Sequence, residues 1–195
     1  HVPWVAAEKG GMRVQDGWLE GVVRCPSAHC NARPHGEVSL LVIHNISLPP
    51  GQFGGGYVQS FFRGQLDLAA HPYFAEIAAL RVSAHFLIER SGAITQFVSC
   101  DERAWHAGAS RYGGRENCND FSIGIELEGT DELPYTEHQY GALLALTQAL
   151  QQAYPAITNS RITGHEFIAP GRKTDPGAAF KWHRYLAALT TPKGI

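Results

Sequence analysis

Residues 39–45, SLLVIHN, form a continuous apolar run ending in a histidine and an asparagine. This is the pattern of a strand covered on both faces, with His44 at its C-terminal end. The prolines and glycines of LPPGQFGGG (48–56) predict a long mobile loop directly after it, followed by a helix in YVQSFFRGQL on whose inner face Val58, Phe61, Phe62 and Leu66 fall. RVSAHFLIERSGAITQFV predicts a hairpin of strands 82–89 and 93–98, turning at Ser91-Gly92, with Ala84, Phe86 and Ile88 on one face and His85 and Leu87 on the other.

FSIGIELEG (121–129) alternates strictly. Ile123, Ile125 and Leu127 share one face, so Glu126 and Glu128 project together from the opposite one. TEHQYGALLALTQALQQAYP predicts the clearest helix, with Thr136 and Gln139 at capping-box spacing, a stripe of Tyr140, Leu143, Leu144, Thr147 and Leu150, and Pro155 beyond its end. A last helix over about 177–189 is expected to bury some of Phe180, Trp182, Tyr185, Leu186 and Leu189. Strands interleave with helices without the regular spacing of a doubly wound parallel sheet, so the expected fold is α/β: a mixed central sheet flanked by helices.

Composition narrows this picture. At 195 residues and 44 % hydrophobic the chain can bury one substantial core, and one domain over 1–195 is expected, with residues 1–16 as an extension and the core over about 17–189. A formal net charge of -2 removes the usual electrostatic basis for nonspecific binding to nucleic acid or anionic membranes, which leaves small or neutral polymeric partners. No run approaches the ~18–20 apolar residues of a membrane span, and the opening HVPWVAAEKGG lacks signal-peptide features, so a soluble cytoplasmic protein is expected. Cys25, Cys30, Cys100 and Cys118 are too sparse for a disulfide scaffold and read as reduced thiols; a Cys25–Cys30 disulfide in an exported protein is the competing reading.

The stretch GHEFIAPGRKTDPG (164–177) holds the densest chemistry. Its GRKT centre resembles the end of a phosphate loop, but Arg172 intervenes between Gly171 and Lys173 and Glu166 stands where the first glycine belongs, so the phosphate reading fails. GQFGGG likewise misses the dinucleotide fingerprint. A metal site fits better: hydrolytic zinc takes three nitrogen, oxygen or sulfur ligands and leaves a fourth position for water. His165 and Asp175, bracketing a loop able to fold back, would supply two ligands and His44 the third; an ordinary polar surface loop fits the same letters. Glu126 is the candidate general base, against a solvated strand face, and Lys173 the candidate oxyanion partner, against a surface lysine. Trp105-His106 offers a flat platform for a sugar or peptide, with burial as the default for such a tryptophan. Of the ten histidines, His71, His138 and His183 read as non-ligands and His85 as structural or supporting.

Taken together, SLLVIHNISLPPGQFGG, HPYF, RVSAHFLIERSGAITQFV, AWHAG, CNDFSIGIELEGTD and GHEFIAPGRKTDPG resemble the zinc-dependent N-acetylmuramoyl-L-alanine amidases, in order from about residue 17 to 189. The resemblance is strongest to the cytoplasmic branch that acts on 1,6-anhydro-muramyl peptides in peptidoglycan recycling. It implies one zinc per chain held by His44, His165 and Asp175, with Glu126 rather than Glu128 as catalytic glutamate and Lys173 as transition-state lysine. Asn45, Arg81 and Trp105 match substrate-contacting positions, Arg81 toward a stem-peptide carboxylate. The implied partner is a small muropeptide, with no nucleic acid, membrane or obligatory protein partner, and the implied consequence is control of the muropeptides that induce beta-lactamase. An amidase acting on intact cell wall and a non-catalytic peptidoglycan-binding module are the rival readings. The chain departs from the family pattern at Asn117, where relatives often carry a basic residue, and at Glu166-Phe167.

Overall fold

The structure, a computed structural model, describes residues 12–191. The central sheet is built from β1 (Val23–Arg24), β2 (Leu40–Ile46), β3 (Phe86–Ile88), β4 (Ile94–Gln96), β5 (Ser122–Glu128) and β6 (Ile162–Gly164), in the spatial order β6-β2-β5-β3-β4-β1. The four strands β6, β2, β5 and β3 run parallel; β4 turns back antiparallel to β3, and β1 lies parallel to β4. The helices are α1 (Tyr57–Phe62), α2 (Phe74–Ile77), α3 (Glu137–Ala153), α4 (His165–Ile168) and α5 (Trp182–Thr190). Three short antiparallel pairings lie outside the sheet, Val14–Gln15 with Trp18–Leu19, Cys30–Ala32 with Glu102–Ala104, and Arg111–Tyr112 with Arg115–Glu116. The expected mixed sheet with flanking helices is what the chain forms.

Period-two alternation divides the sheet into two unlike faces. Leu41, Ile43, Phe86, Ile88, Ile123, Ile125 and Leu127 point to one side, where α3 and the α5 region cover them with Leu143, Leu146, Leu150, Phe180 and Tyr185. Each such apolar side chain contributes roughly 1.5–3 kcal/mol by leaving water. On the other side, Leu87 packs with Phe61, Phe62, Phe74 and Phe97 under the α1–α2 segment, while Leu40 and Val42 pack with Ala107, Cys118, Phe121 and Ile168. The polar centre lies between these two smaller clusters.

Several expected boundaries shift. The hairpin strands are shorter than 82–89 and 93–98, and Ala84, which precedes β3, packs with Leu87 rather than with Phe86 and Ile88, because the alternation does not extend that far back. Helix α1 ends at Phe62, and Leu66 beyond it still packs half-buried against the same cluster. Thr136 and Gln139 form the expected capping box of α3, whose buried face takes Leu146 where Leu144 was expected; Leu144 is only half-buried. Helix α5 starts at Trp182 rather than near 177, because the preceding residues make a turn that inserts Phe180 into the core and ties Ala179 N–H to the Asp131 carbonyl. Of the expected extension 1–16, residues 1–11 lie outside the described part; Met12 and Val14 pack against the core.

Candidate metal centre

The strand register assembles the site. In the parallel pairing of β2 with β5, His44 is directly opposite Glu126, and β6 pairs Gly164 with Ile43, which brings His165 alongside His44 as the chain leaves the sheet. Three neighbouring strands thus present two imidazoles and a carboxylate at their C-terminal ends, where parallel sheets commonly bind ligands. The Gly/Pro-rich loop after α4 returns Asp175 to the same point. His44 Nδ1 lies 3.0 Å from His165 Nδ1 and 3.2 Å from Asp175 Oδ2, and His165 Nδ1 lies 3.2 Å from that same oxygen.

The other ring nitrogens explain why these atoms face one another. His165 Nε2–H donates to the Ala107 carbonyl at 3.0 Å, which leaves Nδ1 as a bare lone pair in the neutral ring. His44 Nε2 lies 2.8 Å from His106 Nδ1, and His106 Nε2 lies 3.0 Å from Ser122 Oγ. With protons assigned so that each ring donates outward along this chain, His44 Nδ1 is bare as well. Burial holds His44 down to about 4 against the pull of Asp175, and burial together with the positive potential of neighbouring rings holds His106 far below its usual range. Burial works to raise Asp175, but when a ring carries its proton on Nδ1 instead, hydrogen bonding from His165 and His44 outweighs burial and keeps the carboxyl well below the ordinary carboxylate range; a metal takes the place of that proton. Two neutral imidazoles and one carboxylate converging within about 3 Å form a donor set that fits a divalent cation such as zinc. Among the described residues this is the cluster of histidine, cysteine and acidic side chains placed to hold a metal.

Glu126 stands beside the triad, its Oε2 at 3.8 Å from His44 Nδ1. It is 8 % exposed, and its Oε1 has no hydrogen-bond partner. A buried, unpartnered carboxylate oxygen is costly and marks a place where a further polar group fits. Burial, reinforced by the charge of Asp175 and opposed by Lys173, pushes its carboxyl well above the ordinary range; a bound cation would pull it back down. Triad, Glu126 and Lys173 share one open cleft of about 590 Å³, walled on one side by apolar residues including Phe61, Tyr73, Val82 and Trp105.

Comparison with known proteins identifies the family and the fold. The pattern of the family described as N-acetylmuramoyl-L-alanine amidase matches residues 34–178. The chain is 60 % identical over 180 residues to the 1,6-anhydro-N-acetylmuramyl-L-alanine amidase AmpD of Citrobacter freundii, covering 92 % of this chain and 96 % of that one. It is likewise 60 % identical to the protein of that name from Escherichia coli (strain K12), covering 92 % and 98 %. A crystal structure of a selenomethionine AmpD derivative superposes with a TM-score of 0.89 at 59 % identity, covering 92 % of this chain and all of that one. The chain belongs to the N-acetylmuramoyl-L-alanine amidase family. At lower identity, 30 %, it also resembles AmpDh3 of Pseudomonas aeruginosa in complex with anhydromuramic pentapeptide, with a TM-score of 0.58 and coverage of 83 % and 64 %.

In this amidase the predicted residues fare differently. His44, His165, Asp175, Glu126 and Lys173 are brought together; Lys173 is exposed on the cleft side. Glu128 is placed elsewhere in role: its carboxylate accepts from Gly54 N–H at 2.7 Å and Arg90 N–H at 2.9 Å and so pins the 48–56 loop. Trp105 lines the cleft, stacked near-parallel with His29 and donating its indole N–H to Asn31. Its neighbour His106 is no surface platform but lies buried behind His44. Asn45 lines the cleft with its amide nitrogen held by Asp131 and Tyr135 at 2.8 and 3.0 Å. Arg81 is exposed beside the cleft, its guanidinium turned onto the carbonyls of Ala78 and Leu80. Asn117 takes a left-handed backbone, φ 57°, a conformation that asparagine tolerates better than most side chains. His85 is structural, as expected, donating to the Glu102 carbonyl and accepting from Gly124 N–H. All four cysteines are free. The supporting parts of His106 and Ala107 left no trace in spacing; only AWHAG as a motif pointed to that segment.

Proposed function

We propose that this amidase hydrolyses the amide between the lactyl group of 1,6-anhydro-N-acetylmuramic acid and the L-alanine of the stem peptide. The observation that carries the reading is the convergence of two imidazole lone pairs and a carboxylate beside a buried carboxyl oxygen without a partner, at the floor of an open cleft. The names of the relatives at 60 % identity support the choice of bond and sugar.

His44, His165 and Asp175 are assigned to hold one zinc ion, which when bound acidifies water and polarises a carbonyl. Glu126 takes the proton from the attacking water through its free oxygen and later delivers a proton to the alanine nitrogen as the C–N bond breaks. Lys173 offsets the negative charge that builds on the lactyl carbonyl oxygen. Water is consumed, and the products are a lactyl carboxylate and a peptide with a free α-amine. Trp105 and Asn45 are assigned to sugar and peptide contacts in the cleft, and Arg81, once swung from its own helix end, to a stem-peptide carboxylate. We place the reaction in the cytoplasm, in the recycling of soluble wall fragments and thereby in the control of beta-lactamase induction; four free thiols agree with a reducing compartment, and no helix among the described residues is long and apolar enough to cross a membrane.

The test offers purified protein carrying one equivalent of zinc a mixture of anhydro-muramyl tripeptide and intact sacculi, with products identified by mass spectrometry. Release of tripeptide from the soluble substrate, lost on removal of zinc, is expected. Equal turnover of sacculi would shift the reading to a wall-degrading amidase, and binding without release to a recognition module.

A further inference from the structure

The loop from Lys173 to Gly177 carries both Lys173 and Asp175, yet it lies outside any helix or strand, and its residues 173 and 174 are exposed. Its position depends on ties from elsewhere: Glu166 N–H donates to the Asp175 carbonyl at 2.8 Å and the Glu166 carboxylate accepts from Gly177 N–H at 3.1 Å, while a second set converges on Asp131, in the turn after β5. Asp131 Oδ1 accepts from Asn45 Nδ2 at 2.8 Å, its Oδ2 accepts from the Thr174 hydroxyl, and its backbone carbonyl accepts from Ala179 N–H at 2.9 Å. Gly177, at φ 82°, packs so close that a Cβ there would stand 2.4 Å from Asp131 Cα. The Pro176 carbonyl is held in addition by the Tyr135 hydroxyl at 2.6 Å and Asn45 Nδ2 at 3.2 Å. Asn45 directly follows His44, and Thr174 directly precedes Asp175. One carboxylate therefore bridges the chain neighbours of two of the three candidate ligands.

We propose that Asp131 is a positioning residue that sets the separation of His44 and Asp175, and through it the metal affinity of the triad. The inference rests on the zinc-amidase reading above. Groups that orient metal ligands without touching the metal commonly govern affinity by about 10–100-fold. Asp131 differs from the usual case in acting through the side chains of both ligands' chain neighbours rather than on a ligand side chain.

The experiment measures Zn2+ and Co2+ affinity of the full chain by chelator competition, together with the visible absorption of the Co2+ form. Asp131→Ala is expected to bind both ions about 10–100-fold more weakly and to alter the Co2+ band, while its metal-free form melts with wild type. Asp131→Asn, which retains an oxygen for Asn45 and turns its amide to the Thr174 hydroxyl, is expected to recover most of the affinity. Unchanged affinity and spectrum in Asp131→Ala would overturn the proposal, as would a raised KM alone, which would assign Asp131 to substrate. A loss in Asp131→Asn equal to that in Asp131→Ala also overturns it, since charge rather than the bridge would then be responsible. A wild-type chain that binds no zinc is a separate result and removes the amidase mechanism itself.

Discussion

The two faces of β5 come from the same seven residues and serve opposite ends. On one side Ile123, Ile125 and Leu127 are sealed under α3 and the α5 region, where any apolar group of the right size serves. On the other side Ser122, Gly124, Glu126 and Glu128 are just as buried, and each has a specific relation to a neighbour. Ser122 meets His106, Gly124 leaves room for that ring, Glu128 accepts from two backbone N–H groups, and Glu126 alone keeps an oxygen without a partner. Buried polarity is tolerated where it is paired, so among these four residues the unpaired oxygen is the one that the role proposed for Glu126 would use.

Substitutions on the two faces should separate these roles. Glu126→Gln should lower kcat for anhydro-muramyl tripeptide about 10²–10⁴-fold while leaving the melting point at or above that of wild type; a large drop in stability with activity retained would reverse the assignment. Ile125→Ala, one residue away, should cost about 2–5 kcal/mol of unfolding free energy in urea titration and leave kcat per folded molecule near wild type. Gly124→Ala tests the boundary between the faces. A Cβ there would lie 2.5 Å from the His106 ring, so a loss of about 1–3 kcal/mol is expected, together with weaker zinc binding as the ring is pushed off His44.

The smallest effect concerns acid sensitivity. Burial first, then the nearby Arg33 guanidinium, holds His85 down to about 3, against the hydrogen bond to the Glu102 carbonyl. Its folded value lies below its unfolded one, so the unfolded chain binds the extra proton; the contribution is complete above about pH 6.5 and is lost as pH falls toward 3. In metal-free protein near pH 5, the stability of wild type should therefore fall more steeply than that of His85→Gln, by up to about 1.4 kcal/mol per pH unit. Equal slopes in denaturant titrations would show that His85 is not neutral in the folded state.

Legibility in the sequence followed the range of the forces involved. The alternation that turns Glu126 away from Ile125, the doubly buried run ending at His44, and the capping box at Thr136 are local patterns, and each appears in the structure where its letters stand. The start of α5 is misplaced because distant contacts, Phe180 in the core and Ala179 N–H on the Asp131 carbonyl, overrule the local period, whereas Ala84 lies before the strand and outside its alternation. The site was named from motifs and not from spacing, because 121 residues separate His44 from His165 and no pattern along the chain relates them.

By itself, then, the sequence picked out the candidate residues for the chemistry, the apolar face of β5, and the family to which the chain belongs. Only the tertiary structure decided that β6, β2 and β5 are neighbours in a register that sets Glu126 opposite His44 and His165 beside it. It also decided that Glu128 pins a loop, that His106 backs a candidate ligand, and that Asp131 ties two loops together. The reason is physical: side-chain period is a property of one strand, whereas register and hydrogen-bond partnership exist only between segments once they have packed.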